Sequence, residues 1–118
     1  MNLSFSLFDQ EHSGLAWQFR VSPSSCDNPG HYEEYIRFVA LSDKRSGMGV
    51  THVLFDADAG RIAGFVALRL SSLFYTGDDG KKRGSPALEI AELAVDADYE
   101  KNGVGSALID FAAYTADN

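Results

Sequence analysis

Residues 88–112 read L-E-I-A-E-L-A-V-D-A-D-Y-E-K-N-G-V-G-S-A-L-I-D-F-A, from Leu88 to Ala112. An apolar strand ends at Val95, the chain turns through Asp96-Ala97-Asp98-Tyr99, and a helix is entered through Gly103-Val104-Gly105. This order sets consecutive main-chain N–H groups, with little side-chain obstruction, at the positive end of a helix dipole, where phosphate or pyrophosphate binds. Glycine is required because a Cβ would hold the anion away from the amides. The stretch is not a P-loop, since no Gly-Lys-Ser/Thr follows. Nor is it a dinucleotide fingerprint, since the third glycine and the following strand with its ribose-binding acid are missing.

Outward from this stretch, the helix is predicted from Gly103 to about Thr115, with Val104, Leu108, Phe111 and Ala112 along one face. Ala87 to Val95 is a strand, reached through a polar connection, Thr76 to Pro86. Thr51 to Phe55 and Arg61 to Tyr75 are β-rich runs joined by Asp56-Ala57-Asp58-Ala59-Gly60, a hairpin signal. Gly64 inside the second run marks a bulge or a close backbone approach. Asn28-Pro29 starts a helix over Pro29 to Lys44, with Asn28 capping through its side chain, Glu33 and Glu34 in the first turn, and Gly47 and Gly49 at the exit. Leu3 to Phe8 and Leu15 to Val21 are predicted as short strands around a turn at Glu11 to Gly14, and Ser22 to Gly30 as a loop. The order β-β-α-β-β-β-α predicts an α+β fold with a mixed, mostly antiparallel sheet and flanking helices.

The 118 residues fit one domain, 1–118, and carry 17 acidic against 10 basic side chains for a net charge of −7. With 45% hydrophobic and 12% aromatic residues, disorder is not expected. Cys26 has no partner for a disulfide, and no run approaches the roughly 20 apolar residues that span a bilayer. The N-terminus lacks a secretory signal, and a reducing cytoplasm is the expected setting. The acidic balance opposes broad binding to nucleic acid. His12, His31 and His52 have no metal-ligand spacing, so no metal site is predicted. Trp17 is expected in the core, and Cys26, with no basic neighbour in sequence, is not expected to be a catalytic thiol.

Strand, V-D-x-D-Y, x-x-G-x-G and S-A-L-I-D-F-A together resemble the acetyl-CoA-binding motif of the GNAT superfamily of N-acetyltransferases. Ile62 to Leu68, I-A-G-F-V-A-L, is similar to the family's third strand, so the likeness runs from about Thr51 to Ala113. It implies acetyl transfer from acetyl-CoA to an amine. It also implies roles: the main chain of Leu93 and Val95 for the pantetheine arm, an N–H near Leu93 or Ala94 for the thioester carbonyl, and the amides of Lys101, Asn102, Gly103, Val104, Gly105 and Ser106 for the pyrophosphate. Glu89 matches a general base of histone-type members, and Glu92 is a second candidate. Strand alternation sets these two glutamates on opposite faces unless a bulge intervenes. The simpler reading of each is a solvated strand carboxylate.

Two departures stand out. Glu100 occupies a position where the family carries Gln or Arg, with Lys101 beside it to supply charge. The family also continues past this helix with a fifth strand and a helix that often carries the tyrosine acid, whereas the sequence here ends at Asn118. Two function classes therefore stand: an N-acetyltransferase acting on a small, protein or, in toxin-type members, aminoacyl-tRNA amine, and a non-catalytic acyl-CoA-binding or interaction module. Ala40 to Asp56 resembles the toxin-type stretch. Lys81, Lys82 and Arg83 form a basic loop that would meet an acidic substrate or the ribose phosphate. The outer edge of Ala87 to Val95 is expected to be unpaired, which invites a homodimer.

Overall fold

A computed structural model describes residues 1–117, without the side chains of 72–74, 85, 86 and 117. Strands β1 (Leu3–Leu7), β2 (Val50–Asp56), β3 (Arg61–Thr76) and β4 (Lys82–Val95) form one antiparallel sheet in the order β1-β2-β3-β4. Helix α1 (Pro29–Glu34) runs through a π-helical turn, Tyr35–Val39, into α2 (Ala40–Ser46), and α3 (Val104–Asp117) closes the chain. The observed order is β-α-α-β-β-β-α.

Alternation along the strands divides the core into two layers. Val53, Phe65, Ala67 and Ala94 face the α1–α2 side, where Phe8, Phe19, Tyr35, Ile36 and Ala40 pack on them. Leu54, Val66 and Leu68 face the other side and meet Val104, Leu108 and Ala112, three residues spaced four apart on α3. The extra residue of the π-turn lets Tyr35, Ile36 and Ala40 all turn inward. Gly47, at φ +77°, ends α2 in the left-handed conformation that glycine adopts without strain.

Several expectations need correction. Leu15–Gln18 is a 3-10 turn, not a strand, and Gln10–His12 is another. Ala16, Phe19 and Val21 of this stretch cover the α1–α2 face of the sheet as irregular chain. Asn28 caps α1 with its main-chain carbonyl, which accepts from His31 N–H at 3.2 Å, and not with its side chain. Glu33 and Glu34 lie past the first turn; Glu33 instead accepts from Val21 N–H at 3.0 Å and pairs with Arg37. The polar connection Thr76 to Pro86 shrinks to a turn of a few residues, because β3 and β4 pair as far as Thr76 opposite Lys82. Trp17 is 55% exposed, edge-on to Phe38 at 5.3 Å with the Arg37 guanidinium over its ring.

Gly64 meets both expectations at once. The ladder to β2 slips beside it, leaving Ala63 bulged, and a Cβ would lie 2.9 Å from Val104 Cγ1 and 3.0 Å from Ala94 O. Helix α3 therefore sits close enough to the sheet to aim its N-terminus at the end of β4.

Candidate functional site

The end of β4 is fastened before the loop begins. Asp96, buried, accepts from Arg20 N–H at 3.0 Å, from Asp98 N–H at 2.9 Å and from the Arg61 guanidinium at 3.1 Å. Arg61 reaches on to Asp98 at 2.8 Å and lies over the Tyr99 ring. Tyr99 is buried among Val104 and Leu108, and its O–H donates to Asp56 at 2.6 Å. Burial and then this bond push the Tyr99 phenol up to about 12. The same bond leads the donors that hold the Asp56 carboxyl below the ordinary range.

From this anchor the chain takes two left-handed residues, Lys101 at φ 66° and Gly103 at φ 77°, with Asn102 between them. Lys101 holds that conformation at a cost on the order of 1 kcal/mol. Left-handed residues interleaved with ordinary ones bend successive N–H groups into a concave row. Among the described residues, no turn, loop or cap hydrogen bond uses the N–H of Lys101, Asn102, Gly103, Val104, Gly105 or Ser106. The amide after this row, Ala107 N–H, donates to Gly103 O at 3.0 Å. A Cβ on Gly103 would meet no protein atom within 4 Å, so the space beside the row is open.

That space is a cleft of about 600 Å³. Leu93, Ala94 and Val95 form its floor, Lys101, Gly103, Val104, Gly105 and Ser106 one wall, and Val21, Ser25, Cys26 and Tyr32 the other. Asn102 stays outside, its side-chain amide donating to Glu100 O at 3.1 Å. Glu100 and Tyr99 line the cleft as well. The main chain of β4 adds an edge. Asp96 N–H donates to Ala63 O at 2.8 Å, so the antiparallel alternation turns Ala94 toward its register partner Phe65, and Leu93 and Val95 outward.

Glu89 and Glu92 share a face. The β3–β4 register pairs Glu92 with Ala67 but Ile90 with Leu68, leaving Ala91 bulged, so both glutamates follow Ala67 and Arg69 on the α1–α2 side. Glu89 is bound to Arg69. Glu92 meets His31 of α1, with Nε2 at 2.9 and 3.0 Å from its two oxygens. Next to it, a recess lined by Tyr35, Asp43, Arg69, Ala91 and Glu92 runs along the bulge. Tyr35 donates to Asp43 at 3.1 Å, and burial first, then that bond, raise its phenol to about 12.

Sequence reading did not assign Val21, Ser25, Tyr32 or His31 to the site, and it set Cys26 aside. None of them carries a motif; Val21, Ser25, Cys26 and Tyr32 reach the cleft, and His31 reaches Glu92, only through the tertiary fold. The other histidines lie elsewhere: His52 beside the Phe111 ring at 4.8 Å, with burial lowering its basicity, and His12 accepting from Asp9 N–H in a capping box that also gathers Glu11. Lys81, Lys82 and Arg83 are exposed at the far end of the β3–β4 hairpin.

Residues 11–118 match the model of the acetyltransferase (GNAT) family. No curated protein matches the chain in sequence. Among solved structures, the fold superposes on a mutant of the AtaT toxin with a TM-score of 0.73 at 12% identity, covering 98% of this chain and 65% of that one. A mutant of KacT gives 0.77 at 13% identity, covering 98% and 69%. AtaT complexed with acetyl-methionyl-tRNAfMet gives 0.75 at 11% identity, covering 97% and 68%. At these identities the likeness is one of fold, and the chain spans about two-thirds of the length of the proteins it superposes on. No described helix is long and apolar enough to cross a membrane.

Proposed function

The chain belongs to the acetyltransferase (GNAT) family, and from that premise we propose that it transfers an acetyl group from acetyl-CoA to a primary amine. The row of unclaimed N–H groups at 101–106, opening on a cleft of about 600 Å³, carries the reading. Acetyl-CoA, when bound, supplies an acyl group activated as a thioester. The amides of 101–106 would hold its diphosphate at the positive end of α3. The outward N–H and C=O groups of Leu93 and Val95 would bond the amides of the pantetheine arm. Leu93 N–H is the better donor to a thioester oxygen, because Ala94 N–H is turned toward β3. Glu100 opposes the diphosphate, and the neighbouring Lys101 offsets it.

The acceptor class is narrower than the reaction class. An aminoacyl-tRNA amine is supported by the complex of AtaT with acetyl-methionyl-tRNAfMet and by exposed Lys81, Lys82 and Arg83. The net charge of −7 opposes it, so small and protein amines stay in the acceptor set. The outer edge of β4, unpaired among the described residues, supports association with a second copy.

Calorimetric titration with acetyl-CoA tests the site. Gly103→Val puts a β-branched residue at φ 77°, and Gly105→Asp puts a carboxylate on the diphosphate wall. Each is expected to weaken affinity at least tenfold with an unchanged circular dichroism spectrum. Unaltered affinity in both removes the assigned site. A thiol-release assay with an amine panel that includes aminoacyl-tRNA then separates transfer from binding alone.

A further inference from the structure

His31 and Glu92 lie 61 residues apart in sequence, yet the imidazole Nε2 rests between the two carboxylate oxygens at 2.9 and 3.0 Å. Glu92 is the more buried partner, with 17% of its side chain exposed against 50% for His31. A carboxylate on Nε2 fixes the neutral imidazole with its proton there and its lone pair on Nδ1. Among the described residues Nδ1 has no hydrogen-bond partner. Neither residue of the pair lines the cleft itself, but each has a near neighbour in its own element that does. Ala94, two residues along the same face of β4 from Glu92, and Tyr32, next to His31 on α1, both line it. Glu89, tied to Arg69, is engaged elsewhere.

Resting on the acetyl-transfer reading, we propose that Nδ1 of His31 is the proton acceptor for the substrate ammonium and that Glu92 is the positioning residue that holds the ring. The ammonium R–NH₃⁺ gives one proton to Nδ1, leaving R–NH₂ and an imidazolium facing Glu92. The amine lone pair then attacks the thioester carbonyl carbon. A C–N bond forms, the C–S bond breaks, a second proton passes from nitrogen to the departing sulfur, and the imidazolium returns its proton to solvent. Among the described residues, the titratable and charged groups in recorded contact with His31 are Glu92 from β4 and Tyr32 from its own helix. Beyond them on the same side are Tyr35 with Asp43, and the pair of Arg69 and Glu89.

The test compares wild type, His31→Gln and Glu92→Gln by acetyl-CoA calorimetry and by steady-state thiol release with an amine panel from pH 6.5 to 9.5. His31→Gln is expected to bind acetyl-CoA within twofold of wild type while kcat falls about 100-fold at pH 7. The deficit should shrink as pH rises into the amine's own range, because a free amine needs no acceptor. Glu92→Gln should fall about tenfold with the same pH behaviour. Wild-type turnover in His31→Gln, or a deficit independent of pH, overturns the proposal and leaves the cleft assignment standing. So does wild-type binding without transfer to any amine. Failure of wild type to bind acetyl-CoA overturns the functional reading itself, and this proposal with it.

Discussion

The hydroxyl of Tyr99 and the carboxylate of Asp56 meet at 2.6 Å across 43 residues of chain, and the loop that carries the N–H row begins immediately after this bond. The bond is strong only while Asp56 is ionised. Because the folded Asp56 lies below the ordinary carboxylate range, its contribution is complete above the unfolded value, about 4, and is lost as pH falls through the folded one. Tyr99 works with the opposite sign: raised to about 12, its contribution is complete below about 10 and lost as pH climbs through 12. Tyr99→Phe should therefore lower the melting temperature at pH 7, and the gap to wild type should close as the solution is acidified below about pH 4. Thermal unfolding across pH 2.5–8 checks this; a gap of constant size would mean that ring packing, not the ionised bond, is what the hydroxyl serves. At this scale the sequence was legible where neighbours in chain determine the outcome. The strand end at Val95, the turn through Asp96 to Tyr99 and the helix entry beside Gly103 all fall where the chain order set them. The partners Asp56 and His31 were not legible, because they arrive through tertiary packing and leave no local pattern.

Helix α3 lies over β3 and β4 at a spacing set by Gly64. An added Cβ would press Val104 Cγ1 at 2.9 Å, Leu108 Cδ1 at 3.0 Å and the Ala94 carbonyl at 3.0 Å. Val104 and Leu108 are fully buried and cannot swing into solvent. Gly64→Ala should cost about 1–3 kcal/mol in urea unfolding, as overpacked cores do. It should also weaken acetyl-CoA binding, because the N-terminus of α3 shifts with its first turn. Gly14→Ala is the control: its φ of −66° suits alanine, no atom lies within 4 Å, and stability should hold or rise slightly. If both variants keep wild-type affinity, the N–H row does not depend on the seating of the helix. The β2–β3 hairpin and α3 could be read from turn residues and period because both patterns are local. The segment Leu15–Gln18 could not, since the short apolar run Leu15 to Val21, read as a strand, has, among the described residues, no strand to pair with. The bulge at Ala91, which turns Glu92 toward His31, has no sequence signal at all.

The molecule measures 56 × 29 × 29 Å, and its radius of gyration of 16.0 Å exceeds the roughly 13.5 Å of a compact chain this long. The excess is the β3–β4 hairpin, whose paired residues continue past the body to Thr76 and Lys82. Among the described residues, none between Leu70 and Ala87 joins either buried cluster. The contacts at its tip are local, with Asp79 accepting from Lys81 N–H and pairing with Arg83. A ladder of main-chain hydrogen bonds needs no apolar side chains, which is why this polar stretch read as a connection. Ser71 and Ala87 are register partners, so residues 72–86 can be replaced by Asn-Gly, a two-residue turn suited to antiparallel strands. The shortened chain should melt within about 3 °C of the parent and bind acetyl-CoA within twofold. Its radius of gyration by small-angle scattering should fall by about 2 Å, toward the compact value. A drop in melting temperature beyond about 8 °C, of the size expected for a lost kcal/mol or more, would mean that the hairpin's end is buried in solution. In that case the cover to test for is a second copy of the chain on the β4 edge, which is unpaired among the described residues, and a forward scattering intensity twice that of a monomer is the expected sign of it.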